Sequence, residues 1–392
     1  MNMKNMFNMN FISVKEILIY LLLFNVLFLS YFFLQSINHP DNTYYSIIVL
    51  MKSEQFLYSY HYEFMKRGFT GTILYLFNIV PTYKQIYYGS LIISNIFLLM
   101  YITYAKKLMH KIPHKQFFLY ILFFILSPAV ALHLGYDAGR FDQITLVITI
   151  VILLLLTSRS KYTLFIVPIL LTIGLLIHEA FLFINIPIIL AVIIYEIKKK
   201  NYKKLFLYQV IITIVIVMIA LLMYGSVDKE TLDLLIAKAG YQNGEYGYLS
   251  ILTRSLLENI RVTLSNYTYI GVWVDIMITL SVIAVYIYLY FSTFKRFIKK
   301  NIFIFLICIS PFLIFIMFLL GIDFHRWFSL LIINLFLVFP YLIKELNIQN
   351  IYQRFSELER KFVKVGYILF ILGPIGVVNS LPYVSQIIKR IF

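Results

Sequence analysis

Residues 135–143 read Gly135-Tyr136-Asp137-Ala138-Gly139-Arg140-Phe141-Asp142-Gln143. They set two carboxylates and a guanidinium between the apolar runs Gln116–Leu134 and Ile144–Leu156, neither of which holds a lysine, arginine, aspartate or glutamate. Charge at the end of a membrane-length apolar segment is costly unless it meets water, a polar cavity or a partner, so the cluster marks a candidate functional site. Its flanks decide the fold. Two apolar runs joined by a short charged tip read as a transmembrane helical hairpin, each run near the roughly 20 residues that cross a ~30 Å hydrocarbon core.

Composition extends that reading to the whole chain. Of 392 residues, 61% are hydrophobic and 13% charged, and the mean hydropathy is +0.86. One soluble core cannot enclose so much apolar surface. The expected class is an all-α, polytopic integral membrane bundle forming a single transmembrane domain over residues 1–392. Apolar segments fall at about 17–36, 85–105, 116–134, 143–157, 162–177, 180–197, 205–224, 268–292, 302–320, 328–343 and 365–383, about 11 transmembrane helices. The first run, Ile17–Leu34, is long and lacks a small-residue cleavage motif, which makes it a span and not a signal peptide. Cys308 is the single cysteine, so no disulfide framework exists. The heavy use of Ile, Phe, Tyr, Lys and Asn is that of an AT-rich, bacterial genome.

The net charge of +16 invites a nucleic-acid reading until it is located. The loops alternate. One set comprises the N-terminus, Lys106–Lys115, Arg159–Lys161, Lys198–Lys204 with the adjoining Glu196, Lys295–Lys300 and Lys344–Lys364, and it holds 22 of the 34 basic residues but 5 of the 18 acids. The other holds 12 basic and 13 acidic residues. By the positive-inside rule the first set and the N-terminus are cytoplasmic, so the positive charge records topology and implies no nucleic-acid partner. Proline at 374 and 382 leaves the last segment open to a re-entrant or interfacial course. Segment 344–364 carries apolar residues near helical spacing and reads as an amphipathic helix at the membrane surface or as a linker helix.

Chemistry is expected on the outer face, in the loops 37–84 and 225–267 and in three hairpin tips. The first loop holds His39-Pro40-Asp41-Asn42, Glu54, His61, Glu63 and Lys66-Arg67-Gly68. Asp41 either caps a short helix or serves as a catalytic carboxylate. The apolar piece Ile73–Val80 is too short to span and reads as interfacial or re-entrant, with tyrosines around it that suit a membrane–water boundary. The first tip carries Asp137, Arg140 and Asp142. The second, His178-Glu179, lies at the middle of Tyr162–Ile197; as one helix that stretch would run about 54 Å, too long for a single crossing, so a tight turn is expected there. The third carries Asp323, His325, Arg326 and Trp327. Structural readings stand beside the functional ones: Asp137 and Arg140 as an i,i+3 salt bridge, Asp142 as a cap, His178-Glu179 as a polar turn, Trp327 as an interface anchor. There is no His-Glu-x-x-His metal motif and no serine or cysteine in a nucleophile-elbow context.

Arginine beside carboxylate and histidine at a membrane surface suits a phosphate-bearing lipid and a sugar acceptor. Guanidinium holds phosphate oxygens in pairs, and a carboxylate can take the proton of a sugar hydroxyl while the departing phosphate is stabilised by cations. The Ile/Phe-rich spans, the sizeable late outer loop with Tyr241, Tyr246, Tyr248 and Tyr267, and the tips Lys66-Arg67-Gly68, Gly135–Gln143, His178-Glu179 and Asp323–Trp327 resemble Wzy-type O-antigen and capsular polysaccharide polymerases and EpsG-like proteins of polysaccharide loci. The arginine-x10-glycine motif of some Wzy loops is absent, since neither Arg254 nor Arg261 is followed by glycine eleven residues on. Gly139-Arg140-Phe141-Asp142 is also similar to the Gly-Gln-x-Asp pattern of some GT-C glycosyltransferases, which use an acid in the first outer loop, where Asp41 stands. The first resemblance implies an enzyme that joins polyprenyl-pyrophosphate-linked oligosaccharides on the outer face of the bacterial inner membrane, alongside other polysaccharide-assembly membrane proteins. No cofactor is expected, and the residues themselves suggest Arg140 and Arg326 on the pyrophosphate, Asp137, Asp142 or Glu179 as base and His178 and His325 as supporting donors, with Asp323 a further candidate in the catalytic set. Asp41, Lys66, Arg67 and Trp327 would then contact substrate. The second implies transfer of one sugar from a polyprenyl-phosphate donor, with a divalent metal. A lipid or sugar transporter is the reading from a different class, and it requires polar residues through the middle of the spans.

Overall fold

A computed structural model describes residues 13–38, 54–158, 160–239, 249–253, 255–268, 270–299, 301–321 and 323–349. Regular structure among the described residues is helical, without strands. Helices run through each expected apolar segment up to residue 343. Among the described residues, five stretches are long and apolar enough to cross a membrane: Lys84–Leu108, His114–Tyr136, Lys204–Tyr224, Ile302–Leu320 and Phe324–Glu345. Asp142–Ser158 and Thr163–Ile177 are apolar but shorter. Asp41, the expected segment 365–383 and residues 350–364 of the amphipathic segment lie outside the described residues; Lys344 and Glu345 belong to the end of the preceding helix.

The chain forms two compact units, each assembled from separated pieces of sequence. One comprises Met1–Phe32, Asn95–Tyr136 and Leu264–Phe392. At its centre is the Phe324–Glu345 helix, in which every residue from Phe328 to Val338 is buried. A helix buried around its whole circumference, Ser329 and Asn334 included, must be enclosed by others. Pro340 interrupts its ladder, because proline has no N–H to give to the carbonyl four residues earlier. That carbonyl belongs to Phe336. The Tyr101 and Tyr120 hydroxyls, 2.5 Å from each other, approach it at 3.1 and 3.2 Å, and the Tyr104 hydroxyl donates to the next carbonyl, Leu337, at 3.1 Å. Two helices are thus keyed to the break in a third. Replacing both Tyr101 and Tyr120 with phenylalanine should strand the Phe336 carbonyl and cost about 1–3 kcal/mol. Adding Pro340→Ala supplies the missing N–H and should restore part of the loss in a thermal melt; no recovery would show that the tyrosines act through packing alone.

In the same unit, Ser127-Pro128 separates the His114–Leu126 helix from Ala131–Tyr136, and the Ser127 hydroxyl pairs with the Tyr286 hydroxyl at 2.9 Å. Asn25 and Asn95 exchange amide hydrogen bonds of 3.1 and 2.9 Å across two otherwise apolar helices. At one end His114 meets Glu16 at 2.9 Å and Lys111 donates to Asn347 at 2.7 Å. Tyr267 donates to the Phe318 carbonyl at 2.8 Å.

The other unit comprises Phe33–Ser94 and Asp137–Thr263. Thr163–Ile177 packs against both Asp142–Ser158 and Lys204–Tyr224, and Ile186–Lys198 packs against Asp142–Ser158. The expected outer loops come together here. Tyr58 and Met65 from the first share a buried core with Val227, Leu235, Leu249 and Leu252 from the second. Backbone and side chain bind the same loops: Lys66 N–H donates to the Gly225 carbonyl at 3.0 Å, Val227 N–H to the Leu252 carbonyl at 3.3 Å, and Asp228 N–H to the Glu63 carboxylate at 3.2 Å. Elsewhere in the unit, Tyr202 donates to the Leu156 carbonyl at 3.1 Å. The loop-to-loop contacts among these, Glu16–His114, Lys111–Asn347, Lys66–Gly225 and Glu63–Asp228, each join loops of one charge set.

Candidate functional site

The second unit gathers the first two tips and the Lys66-Arg67 corner. Arg67 precedes the Gly68–Leu76 helix with φ 62°, an uncommon left-handed conformation for a side-chain-bearing residue. From there its guanidinium clamps Glu179: Nε lies 3.1 and 3.0 Å from the two carboxylate oxygens, and Nη2 donates to Oε1 at 2.5 Å. Two donors on one carboxylate make this the stronger, orientation-fixing kind of ion pair.

Glu179 is placed by the turn after Thr163–Ile177. His178 leaves the helix in an extended conformation (φ −157°, ψ 114°), and its carbonyl accepts from Phe181 N–H at 3.0 Å, which starts the next short helix. The His178 ring lies between two acids, with Nδ1 3.4 Å from Glu179 Oε2 and Nε2 3.8 Å from Asp142 Oδ1. The resulting series is Arg67, Glu179, His178, Asp142.

The first tip folds as a tight turn. Gly139 takes φ 92°, which suits glycine alone, and its N–H donates to the Ser90 hydroxyl at 2.7 Å. Arg140 N–H closes onto the Asp137 carbonyl at 3.0 Å, and Arg140 Nε reaches Asp137 Oδ1 at 3.0 Å. This is the i,i+3 pair expected from spacing, placed in a turn before the Asp142–Ser158 helix. Asp142 is the first residue of that helix; its carbonyl accepts from the Thr145 hydroxyl at 2.9 Å. Phe141 packs edge-on against Phe56 with centroids 5.2 Å apart, tying the tip to the first outer loop.

Exposure grades the site. Asp137, Asp142 and His178 are buried and Arg140 is 8% exposed, while the Arg67 and Glu179 side chains keep 12% and 28% of their surface. Solvent therefore meets the cluster at the Arg67–Glu179 pair. Burial alone would raise the Glu179 carboxyl, but the Arg67 charge and the hydrogen bonds from His178 and Arg67 outweigh it and hold the group well below the usual 4.5. Burial works against the Arg67 cation, Glu179 more than restores it, and the Arg140 charge opposes it, for a net upward shift. The Lys66 ammonium is pushed down by burial, pulled up by Glu179 and pushed down by Arg67. Lys66 thus feels both Glu179 and Arg67, and Arg67 feels Arg140 as well.

The third tip belongs to the other unit. There Arg326 Nη1 lies 3.5 Å from Asp323 Oδ2, and its guanidinium lies 4.6 Å from the Trp327 ring centroid. His325 Nδ1 is 3.2 Å from the Thr279 hydroxyl. Trp327 is 3% exposed, packed inside its unit and not displayed at a boundary. Among the described residues, no three His, Cys, Asp or Glu side chains are arranged to hold a metal ion.

Sequence reasoning missed Ser90 and the loop core of Tyr58, Met65, Val227 and Leu235. It held Arg67 and Glu179 as separate candidates, since nothing in sequence marks a pair 112 residues apart. No family model matches the chain, no curated protein matches it, and neither does any solved structure.

Proposed function

We propose that this chain is a multi-pass glycosyl-transfer enzyme of cell-envelope polysaccharide assembly in the bacterial cytoplasmic membrane, joining polyprenyl-pyrophosphate-linked oligosaccharide units on the outer face. The topology is about eleven spans with the N-terminus cytoplasmic. Loop pairing within each unit supports it, since each pair joins loops of one charge set: Glu63 with Asp228 and Arg67 with Glu179 in the set balanced in charge, Glu16 with His114 and Lys111 with Asn347 in the basic set. The observation that carries the enzymatic reading is the Arg67, Glu179, His178, Asp142 series beside the Asp137–Arg140 pair. Its members stand at helix ends and in turns, whereas a carrier needs polar groups through the middle of its spans.

The chemistry is a displacement at an anomeric carbon. Glu179 accepts the proton of an acceptor hydroxyl, and that oxygen forms the new bond to the anomeric carbon. The old bond to the pyrophosphate oxygen breaks, and the polyprenyl pyrophosphate departs with its charge on Arg67 and Lys66. His178 holds the carboxylate from behind, and Asp142 orients His178.

Surface glycan from a strain with the intact gene, a deletion strain and a Glu179→Gln strain tests the reading. Loss of the long-chain ladder in both altered strains, with one complete repeat unit retained, is the expected result. A truncated repeat unit would mean a single-sugar transferase of the GT-C kind. An unchanged ladder in the deletion strain would overturn both enzyme readings in favour of transport.

A further inference from the structure

Between Arg67 and Lys84 the chain carries no charged side chain. The first part of this stretch folds as the Gly68–Leu76 helix, about 14 Å long at 1.5 Å per residue. Apolar side chains at its far end are open: Leu76, Phe77 and Val80 are 71%, 72% and 81% exposed, with Ile79 half-exposed beside them. Such a contiguous exposed apolar patch marks an interaction surface. The backbone beneath it is closed on itself. Asn78 takes the left-handed conformation at φ 53°. Its N–H donates to the Tyr75 carbonyl at 2.9 Å, and Ile79 N–H donates to the Leu74 carbonyl at 2.9 Å, the two bonds of a Schellman ending. Carbonyls left open at a helix end take water, whereas carbonyls closed from within tolerate a medium without it. Next to the tip stands a group of amphipathic side chains. The Tyr75 hydroxyl meets His61 Nε2 at 2.9 Å, with the two rings stacked 4.0 Å apart. Tyr62 packs edge-on to both, and the Lys238 ammonium lies 4.4 Å from the Tyr62 ring centroid. Rings with a polar end, and lysine, suit the headgroup layer of a bilayer.

We infer that the Leu76–Val80 tip is seated in the outer leaflet, and that this seat holds the Arg67–Glu179 pair against the headgroup layer. The tip side chains lie among the upper acyl chains, with His61, Tyr62, Tyr75 and Lys238 at headgroup level. Continuity selects lipid as the occupant. The Lys84–Leu108 span begins directly after Pro81-Thr82-Tyr83, so the tip leads straight into a membrane-crossing helix. The exposed Asn78 side chain keeps the tip shallow, in keeping with the ~5–10 Å reached by interfacial apolar elements. The same helix starts next to Arg67 and packs against Thr163–Ile177, the helix that ends at His178. The depth of the tip therefore sets the depth of the cluster. The consequence rests on the reading of that cluster as a phosphate-handling site: a lipid carrier presents its diphosphate in the headgroup layer, so the site loads from the membrane plane and not from water.

The test is fluorescence quenching on the full chain reconstituted in phosphatidylethanolamine–phosphatidylglycerol vesicles. Phe77→Cys and, as the aqueous reference, Glu230→Cys place a thiol at exposed positions for labelling with the fluorophore NBD; the single native cysteine, Cys308, is buried. Gel-filtration profiles matching the unaltered protein establish that each variant is folded. Lipid nitroxides near the carbonyl end of the acyl chain should quench the label at position 77 several-fold more than iodide supplied on both sides of the vesicles. The order should reverse at position 230. Iodide quenching at 77 equal to that at 230 overturns the proposal. Protection from both quenchers overturns it as well, since protein then covers the tip. Leu76→Asp with Phe77→Asp should withdraw the tip and cut long-chain surface glycan several-fold; an undiminished ladder would overturn the claim that the seat holds the cluster. Lipid quenching at 77 with an intact ladder in Glu179→Gln would leave the seat standing and remove the enzymatic reading. Iodide quenching with a lost ladder in that variant would do the opposite.

Discussion

Alanine at position 71 is expected to cost about 3 kcal/mol or more and to release the first outer loop to protease. A Cβ on Gly71 would lie 2.0 Å from the Tyr58 carbonyl oxygen and 2.7 Å from that of Phe56. Both obstacles are backbone, so no side chain can rotate away. The Gly68–Leu76 helix would have to lift from the segment before it, and two attachments would go with it. Tyr60 N–H donates to the Thr72 hydroxyl at 2.8 Å, next to Gly71, and Tyr58 and Met65 anchor the loop in the core shared with Leu235 and Leu252. Arg67 sits at the start of the same helix, so the clamp on Glu179 should loosen as well. Gly89 provides the control, since a Cβ there meets nothing within 4 Å. The check is a pair of thermal melts with limited proteolysis of Gly71→Ala and Gly89→Ala; coincident curves would remove the close-approach argument.

The second large effect is expected from Arg67→Leu. The change preserves much of the volume, takes away the bidentate donor and leaves Glu179 with the His178 hydrogen bond and the Lys66 charge. For the proposed glycosyl transfer, loss of a pre-positioned charge where negative charge develops commonly lowers turnover by about two to three orders of magnitude, and long-chain glycan should disappear accordingly. Arg67→Lys should retain a measurable fraction, because charge survives while the fork does not. The same pair leaves a signature in acid. The Glu179 carboxyl is held below the usual 4.5, so folding gains from it above that value and loses the gain as pH falls through the folded-state value. The unaltered protein should therefore lose stability below about pH 4.5 more steeply than Glu179→Gln, which has no such group to protonate. Parallel acid-unfolding curves would mean that the clamp contributes nothing to the fold.

Much of the helical layout is legible in the sequence. Apolar run length and the alternation of charged loops place helices along the chain up to residue 343, because the bilayer imposes length and the positive-inside rule imposes sign. The His178-Glu179 turn is legible too, from a run too long for one crossing and basic at both ends. The two units are not. Their boundary passes inside continuous helices, between Phe32 and Phe33 and between Ser94 and Asn95, where no linker or change of composition exists to be read. The site is half legible. Residue types flagged Asp137, Arg140, His178 and Glu179. The partner of Glu179, however, follows from how two loops pack, and packing between distant segments leaves no periodic trace. Pro340 illustrates the same limit: the residue announces a break, but nothing near it says that Tyr101 and Tyr120 close it.

The shared core of the two outer loops has a consequence for how the protein is made. Tyr58 and Met65 are synthesised well over a hundred residues before Val227 and Leu252, the residues that bury them. At roughly 5–20 residues per second, the early loop waits on the order of ten seconds or more for its complement. During that interval its tyrosines and methionine have no native cover, and Arg67 has no Glu179. The nascent chain thus carries an uncovered apolar surface until residues 227–252 arrive and an Arg67 cation without its carboxylate until Glu179 does, an interval set by the speed of translation.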